Sequence, residues 1–349
     1  MTGDDRGYTA RMARRGGWRR RGRKGSFRYV DAHGKPIVDP EKIERIEELA
    51  IPPAWRDVWI SPRPRAKLQA TGIDRAGRRQ YLYHPEFRAR QEQEKFDRLV
   101  LFAERLPKLR KVMSKHLTGE PFEPEWTCAL AVRLINLGWF RVGTDRYART
   151  TKTFGITTLR KGHVSVRASK ITFRYRSKHR SRVRSAVVDG ELAEAVKKLL
   201  ALPGGSRLFR YRYDNSFCNL TGARLNEYIN EHLGDEFTAK DFRTWGGTLL
   251  AAIAFAEHGP PESETEARRV VAGVMRAVGA RLGNTPAVAR SSYVSPAVVE
   301  QYLGGRTIDD FRPRHLRVVG ARDTALDREE RALLSLLRSW RIRSAQVAA

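Results

Sequence analysis

The stretch HVSVRASKITFRYRSKHRSRVRSAVV, residues 163–188, forces a sheet into a chain otherwise written for helices. Branched and aromatic residues alternate there with cations at a period of two, which suits a half-buried strand and wastes one face of a helix. Three such runs, 164–168, 171–176 and 182–187, are parted by Ser-Lys and Ser-Lys-His-Arg. Connections that short join only antiparallel neighbours, so the runs make a three-stranded meander. Around it the spacing is helical. TCALAVRLINLG and ELAEAVKKLLAL carry apolar residues at helical intervals, and TGARLNEYINEHLG closes on Gly234. Thr238 and Asp241 have capping-box spacing at the start of the next helix, and another ends at Gly283. Thr285-Pro286 and Ser295-Pro296 are each an N-cap followed by proline. The helix between them is therefore only about two turns long, with Tyr293 at its end. A last amphipathic helix starts from Thr324, and there is no internal repeat.

The N-terminal part has another texture. Residues 1–26 hold RRGGWRRRGRKG, with too few apolar side chains to pack, and read as a disordered basic arm. From Phe27, FRYVDAHGKPIV reads as a hairpin around His33-Gly34, and EKIERIEELA as a short amphipathic helix. Short strands follow, with Asp74–Gly77 as the turn between LQATGI and RQYLYH. A long helix over residues 86–106 leads out. The resulting class is α+β: a β-rich domain, residues 27–106, and a larger, mainly helical domain, residues 107–349, that contains the meander. The boundary is bracketed by residues 90–108.

Charge points to the partner. The chain has 349 residues, with 67 Lys plus Arg against 39 Asp plus Glu, a net charge of +28. The excess is mostly arginine and is spread throughout, and a planar guanidinium suits phosphate oxygens better than a point charge does. A polyanion, foremost double-stranded DNA, is the expected partner. Cys128 and Cys218 lack metal spacing and read as reduced, buried thiols. The eight histidines form no metal motif, and no Walker-type loop is present. No metal and no cofactor are expected. No apolar run is long enough for a membrane span and the N-terminus has no secretory core, so the expected place is the cytoplasm, at the nucleoid.

Four stretches join a cation to a constrained backbone: WFRVG with Arg141, YRSKHR with Lys178, DFRTW with Arg243, and NTPAVARSSY with Tyr293. Each also has an ordinary reading. Arg141 could sit in an internal salt bridge, Lys178 in solvent, Arg243 stacked on Trp245, and Tyr293 in packing.

In this order, FRVG, RSKHR, DFRTW and NTPAVARSSY resemble the type IB DNA topoisomerases of the small bacterial and poxvirus kind. GRRQYLYH in the N-terminal unit resembles a strand that lies against DNA in that family. The likeness runs from Ser26 to at least Gly304. It implies a tyrosine recombinase/topoisomerase IB-like catalytic domain that relaxes supercoiled DNA. Tyr293 would be the nucleophile, Arg141 and Arg243 would bind the scissile phosphate, and Lys178 would be the general acid. Asn284 stands where poxvirus and eukaryotic members have histidine; its neutral amide can donate but brings no charge. Lys67, Arg79, Gln80, Tyr81 and Tyr83 would meet DNA from the N-terminal unit, which with the catalytic domain would clamp the duplex as a monomer. Two other functions fit the same features. A tyrosine recombinase uses the same residue types but has a helical N-terminal domain, and a DNA-compacting protein needs only the charge.

Overall fold

The computed structural model of the chain describes residues 16–23, 25–178, 181–312 and 324–348. The chain divides into two compact units between Lys95 and Phe96.

The first unit is built on a five-stranded antiparallel sheet. Its strands are β1 (Trp18–Arg21), β2 (Arg28–Val30), β3 (Arg56–Ile60), β4 (Leu68–Ile73) and β5 (Arg79–Tyr83), in the order β2-β1-β3-β4-β5. Helix α1 (Pro40–Glu48) starts on the Asp39 side chain, which accepts from the Glu41 amide, with Pro40 in the first turn. Ile46 of α1 joins Ile51, Val58, Ile60 and Ala70 in a small core.

Strand β1 corrects the sequence reading, which assigns residues 1–26 to a disordered arm. Trp18 packs on the small core, and Arg20 donates to the carbonyls of Ile51, Pro52 and Trp55 and lies over the Phe27 ring. These side chains supply the packing that composition alone hides. Residues 1–15 and 24 of the arm lie outside the described residues. The hairpin expected around His33-Gly34 is also altered. Its turn forms, with Asp31 accepting from the His33 and Lys35 amides, but the return side keeps a single bridge at Pro36. Proline lacks the donor that would extend the ladder, and β2 pairs with β1 instead.

The second unit contains most of helix α2 (Pro85–Leu117), which runs through Pro107 and well past Leu106. An internal proline costs about 3 kcal/mol. Leu106, Leu109 and Met113 are fully buried, and that apolar stripe outweighs the cost. Phe96, Leu99 and Phe102 belong to the same core, so this unit begins inside the bracket 90–108 of the sequence reading, although ahead of residue 107, where that reading starts the larger domain.

Helix α3 (Pro124–Gly138) is buried over most of its length. Short α4 (Asp145–Thr150) precedes the meander β6 (Val164–Arg167), β7 (Lys170–Arg176) and β8 (Arg182–Val188), whose register is continuous and antiparallel. Helix α5 (Gly190–Ala201) follows. A hairpin of β9 (Arg210–Tyr213) and β10 (Ser216–Asn219) comes next, which the sequence reading lacks although Asp214-Asn215 is a turn signal. Helices α6 (Gly222–Leu233), α7 (Ala239–His258), α8 (Glu264–Leu282), α9 (Pro286–Ser292) and α10 (Pro296–Leu303) complete the run. Helix α11 (Arg328–Ala348) is anchored by Glu330, which is 4% exposed. Its carboxylate accepts from Arg110 at 2.7 and 2.8 Å and from the Trp245 ring at 3.2 Å. Cys128 is fully buried, and burial pushes its thiol up to about 12. Cys218 on β10 is only partly buried, contrary to expectation, because a two-stranded hairpin leaves one face uncovered. No helix among the described residues is long and apolar enough to cross a membrane.

Candidate active site

Four elements of the second unit end at one place. Helix α3 stops at Trp139, whose backbone is left-handed at φ 51°, an uncommon conformation for a bulky residue. The chain turns there into Phe140 and Arg141. The Arg141 and Val142 carbonyls accept from the Ile156 and Thr157 amides at 2.7 and 2.9 Å, which fixes the backbone beneath the arginine. Its guanidinium donates to Ser177 Oγ at 3.0 Å, to the Gly283 carbonyl at 2.7 Å and to Asn284 Oδ1 at 2.7 Å.

Arg243 leaves the first turns of α7 and is 5% exposed. The α7 start is a formed capping box, with Asp241 accepting from the Thr238 amide at 2.8 Å. Arg243 donates to the carbonyls of Trp139 and Leu282. Its Nε is buried and has no hydrogen-bond partner among the described residues. The ordinary readings of both arginines therefore fail. Among the described residues neither forms an ion pair, and Arg243 lies over the ring of Tyr293, 5.0 Å from its centre, rather than over Trp245. The Trp245 ring is engaged by Glu330.

Two cations held near each other by neutral partners disfavour one another. Arg141 is lowered from its ordinary value by burial first and by Arg243 second. Such an arrangement favours an anion as a further partner. A cavity of about 180 Å³ beside the pair is lined by Arg141, Tyr175, Ser177, Arg184, Arg243 and Arg281, among others, and by no acidic side chain of the described residues. Tyr293 is not among the residues that line it.

Tyr293 sits at the C-terminal cap of α9 and is half-buried. Helix α9 starts on Thr285, whose side chain accepts from the Val288 amide, with Pro286 next. Burial alone would raise the phenol. The charge and hydrogen bond of Arg243 outweigh it, with smaller help from Lys240 and Arg141, and the net shift is downward. Gly247 of α7 makes room for this approach: a Cβ there would fall 2.7 Å from the Tyr293 carbonyl.

The family model described as "Eukaryotic DNA topoisomerase I, catalytic core" matches residues 84–305, and that for "Bacterial DNA topoisomerase IB, N-terminal domain" matches residues 26–74. The DNA topoisomerase 1B of Acanthamoeba polyphaga mimivirus is 33% identical over 284 residues, covering 79% of this chain and 84% of that protein. The chain belongs to the type IB DNA topoisomerases. The DNA topoisomerase 1B of vaccinia virus (strain Copenhagen) is more distant, 20% identical over 281 residues, covering 78% of this chain and 86% of that protein. The same figures hold for the DNA topoisomerase I of monkeypox virus.

In this type IB topoisomerase, Arg141, Arg243 and the segment from Asn284 to Tyr293 come together. Lys178 does not touch them. It is exposed in the turn between β7 and β8, closed by the Ser177 amide on the Ser181 carbonyl at 2.8 Å, and its side chain has no hydrogen bond or ion pair to another described residue. His179 and Arg180 of that turn lie outside the described residues.

The five residues assigned to the N-terminal unit divide by face. Tyr81 and Tyr83 stack, with ring centres 6.3 Å apart, and Tyr83 continues onto Phe87, over which Lys67 lies at 4.3 Å. Arg79 is exposed. Gln80 points to the opposite face, where its amide donates to Asp74 at 2.8 Å.

The sequence reading of the topoisomerase misses several members of the site. Ser177 directly precedes Lys178 and holds Arg141. Lys240 opens the same helix turn as Arg243 and acts on Tyr293 through charge. Trp139, with its left-handed backbone, supplies a carbonyl to Arg243. Thr248 is marked in the sequence only by the two glycines before it, a sign of close backbone approach.

Proposed function

We propose that the chain relaxes supercoiled duplex DNA by transient cleavage of one strand through Tyr293. The phenolic oxygen attacks a backbone phosphorus, the bond from Tyr293 Oη to phosphorus forms, and the bond to the 5′-oxygen breaks. The phenol proton passes to water, and Lys178 gives a proton to the departing 5′-oxygen, which would otherwise leave as a poor alkoxide. The product is a 3′-phosphotyrosyl ester. Its bond energy matches that of the diester it replaced, so religation by the 5′-hydroxyl needs no ATP. Between the two steps the free end rotates and torsional strain is lost.

Arg141 and Arg243 carry the charge that builds on the non-bridging oxygens, and the Asn284 amide adds a neutral donor. An ordinary tyrosine near pKa ~10 is a weak nucleophile at neutral pH. A neighbouring guanidinium corrects that by favouring the phenolate.

The observation that carries this reading is a pair of guanidiniums, Arg243 buried and Arg141 half-buried, that have no carboxylate partner among the described residues, Arg243 lying over the ring of Tyr293. The N-terminal unit binds the backbone of the same duplex through Lys67, Arg79, Tyr81 and Tyr83 and, with the catalytic domain, makes a monomeric clamp. The net charge of +28 supports binding to a polyanion such as duplex DNA.

The test is to mix the chain with labelled duplex, denature, and map the residue that retains DNA. Adduct at Tyr293, with loss of both adduct and plasmid relaxation in Tyr293→Phe but little loss of DNA retention, is the expected result. Parental relaxation by the phenylalanine variant would overturn the reading. Relaxation of plasmid that lacks paired sites separates the proposal from a recombinase.

A further inference from the structure

We infer that Thr248 is a positioning residue that staples the nucleophile to the helix carrying Arg243. The inference rests on the reading of Tyr293 as the nucleophile.

The link between α9 and α10 is Tyr293, Val294 and Ser295, and its amides can be accounted for one by one. The Tyr293 and Val294 amides both return to the Ala289 carbonyl, at 3.0 and 3.1 Å. The Ser295 amide has no helical partner and donates to Thr248 Oγ1 at 3.1 Å. The same hydroxyl donates to the Tyr293 carbonyl at 3.2 Å. One oxygen thus uses a lone pair and its proton to hold the peptide groups on both sides of Val294.

The geometry around this oxygen is closed. Thr248 is fully buried, and Ser295 and Val294 are 2% and 1% exposed. Ser295 stands in the N-cap position of α10 but makes no side-chain cap bond, so its ordering comes through its amide. Gly247 lets the two backbones approach, and Arg243 lies on the preceding turn of the same helix. Two hydrogen bonds to one rigid helix therefore fix the main chain of Tyr293 in register with the guanidinium that lies over its ring. Ser295 and its proline set where α10 begins; Thr248 sets where the tyrosine stands. Without the staple, the main chain on both sides of Val294 loses its hydrogen bonds to the Thr248 hydroxyl, and the ring is held less firmly against the guanidinium.

The test measures single-turnover cleavage by the full chain on a duplex that traps the adduct, as a function of pH, for Thr248→Val and Thr248→Ser. Loss of register predicts a cleavage rate lower by about 100-fold in the valine variant, because misplacement of about 1 Å costs that much. It also predicts that the rising limb of the pH profile moves to higher pH, since the phenol loses its cationic neighbour. DNA retention stays at the parental level. Serine keeps the oxygen and returns both the rate and the limb toward the parent. Thr248→Ala, which adds no bulk, carries the same expectation as valine if valine prevents folding. A valine variant with parental rate and pH profile, while the parent forms its adduct at Tyr293, overturns the staple and leaves the nucleophile in place. Equal slowing in valine and serine without movement of the limb overturns it too, because packing alone then explains the loss. A parent that forms no adduct at Tyr293 overturns both readings.

Discussion

The guanidinium carbon of Arg243 stands 5.0 Å from the centre of the Tyr293 ring, and no carboxylate competes for it among the described residues. A cation there favours the phenolate, so the Tyr293 phenol lies below its ordinary 10.0 although burial pushes the other way. The rising limb of cleavage against pH is expected below that of a free tyrosine. Arg243→Ala removes the cation and leaves the burial, so the limb moves up, and the maximal rate falls about 100- to 1,000-fold as a phosphate partner is lost. Cleavage rates of the parent and variant across pH 6–10 check both.

Lys178 is exposed and apart from the other four residues, which suits a proton donor that arrives with the substrate. Lys178→Ala is expected to slow cleavage of ordinary DNA by about 100-fold or more. On a duplex with sulfur in the 5′-bridging position, where the leaving group needs no proton, the variant should cleave near the parental rate. Equal slowing on both substrates would remove Lys178 from the acid role.

The Arg110–Glu330 pair predicts a stability effect far from the chemistry. Burial would raise Glu330, but the hydrogen bond and charge of Arg110 outweigh it, and the net shift is downward. A carboxyl lowered in the fold contributes stability that is complete above its ordinary value, 4.5, and is lost as pH falls through the lower folded value. Asp327, raised by burial and then by Glu330, acts in the opposite sense and blunts that loss. Glu330→Gln leaves Arg110 buried without its anion and should cost about 3 kcal/mol in denaturant unfolding at pH 7. The deficit should shrink toward pH 4.

In the N-terminal unit, Arg79→Ala is expected to lower the slope of log affinity against log salt by about one, as for loss of one phosphate contact. Tyr81→Ala combined with Tyr83→Ala removes a stacked apolar surface, so affinity falls while the slope holds. Binding isotherms at several salt concentrations separate the two effects.

Much of this fold is legible in the chain. The meander follows from alternation and short breaks, and the end of α9 from Thr285-Pro286 and Ser295-Pro296, because cap and proline signals act locally. Strand β1 is not legible, since four residues with three arginines count as polar until Ile51, Pro52 and Trp55 supply carbonyls for Arg20. The passage of α2 through Pro107 is hidden for the same reason: the burial that outweighs a local breaker comes from distant residues. In the site, types and order single out Arg141, Arg243, Asn284 and Tyr293, which the fold brings together. The partners Ser177, Trp139 and Thr248 act through an oxygen or a main-chain carbonyl, which composition and motif do not reveal.

The bond between Arg110 and Glu330 closes a loop of 220 residues. On a ribosome, the segment bearing Tyr293 emerges before α11 does. A nascent chain can therefore hold Tyr293 while the helix that carries Arg243 still lacks the anchor that Glu330 gives Trp245. The last of these helices to be synthesised thus supplies the tie that joins the end of the chain to α7.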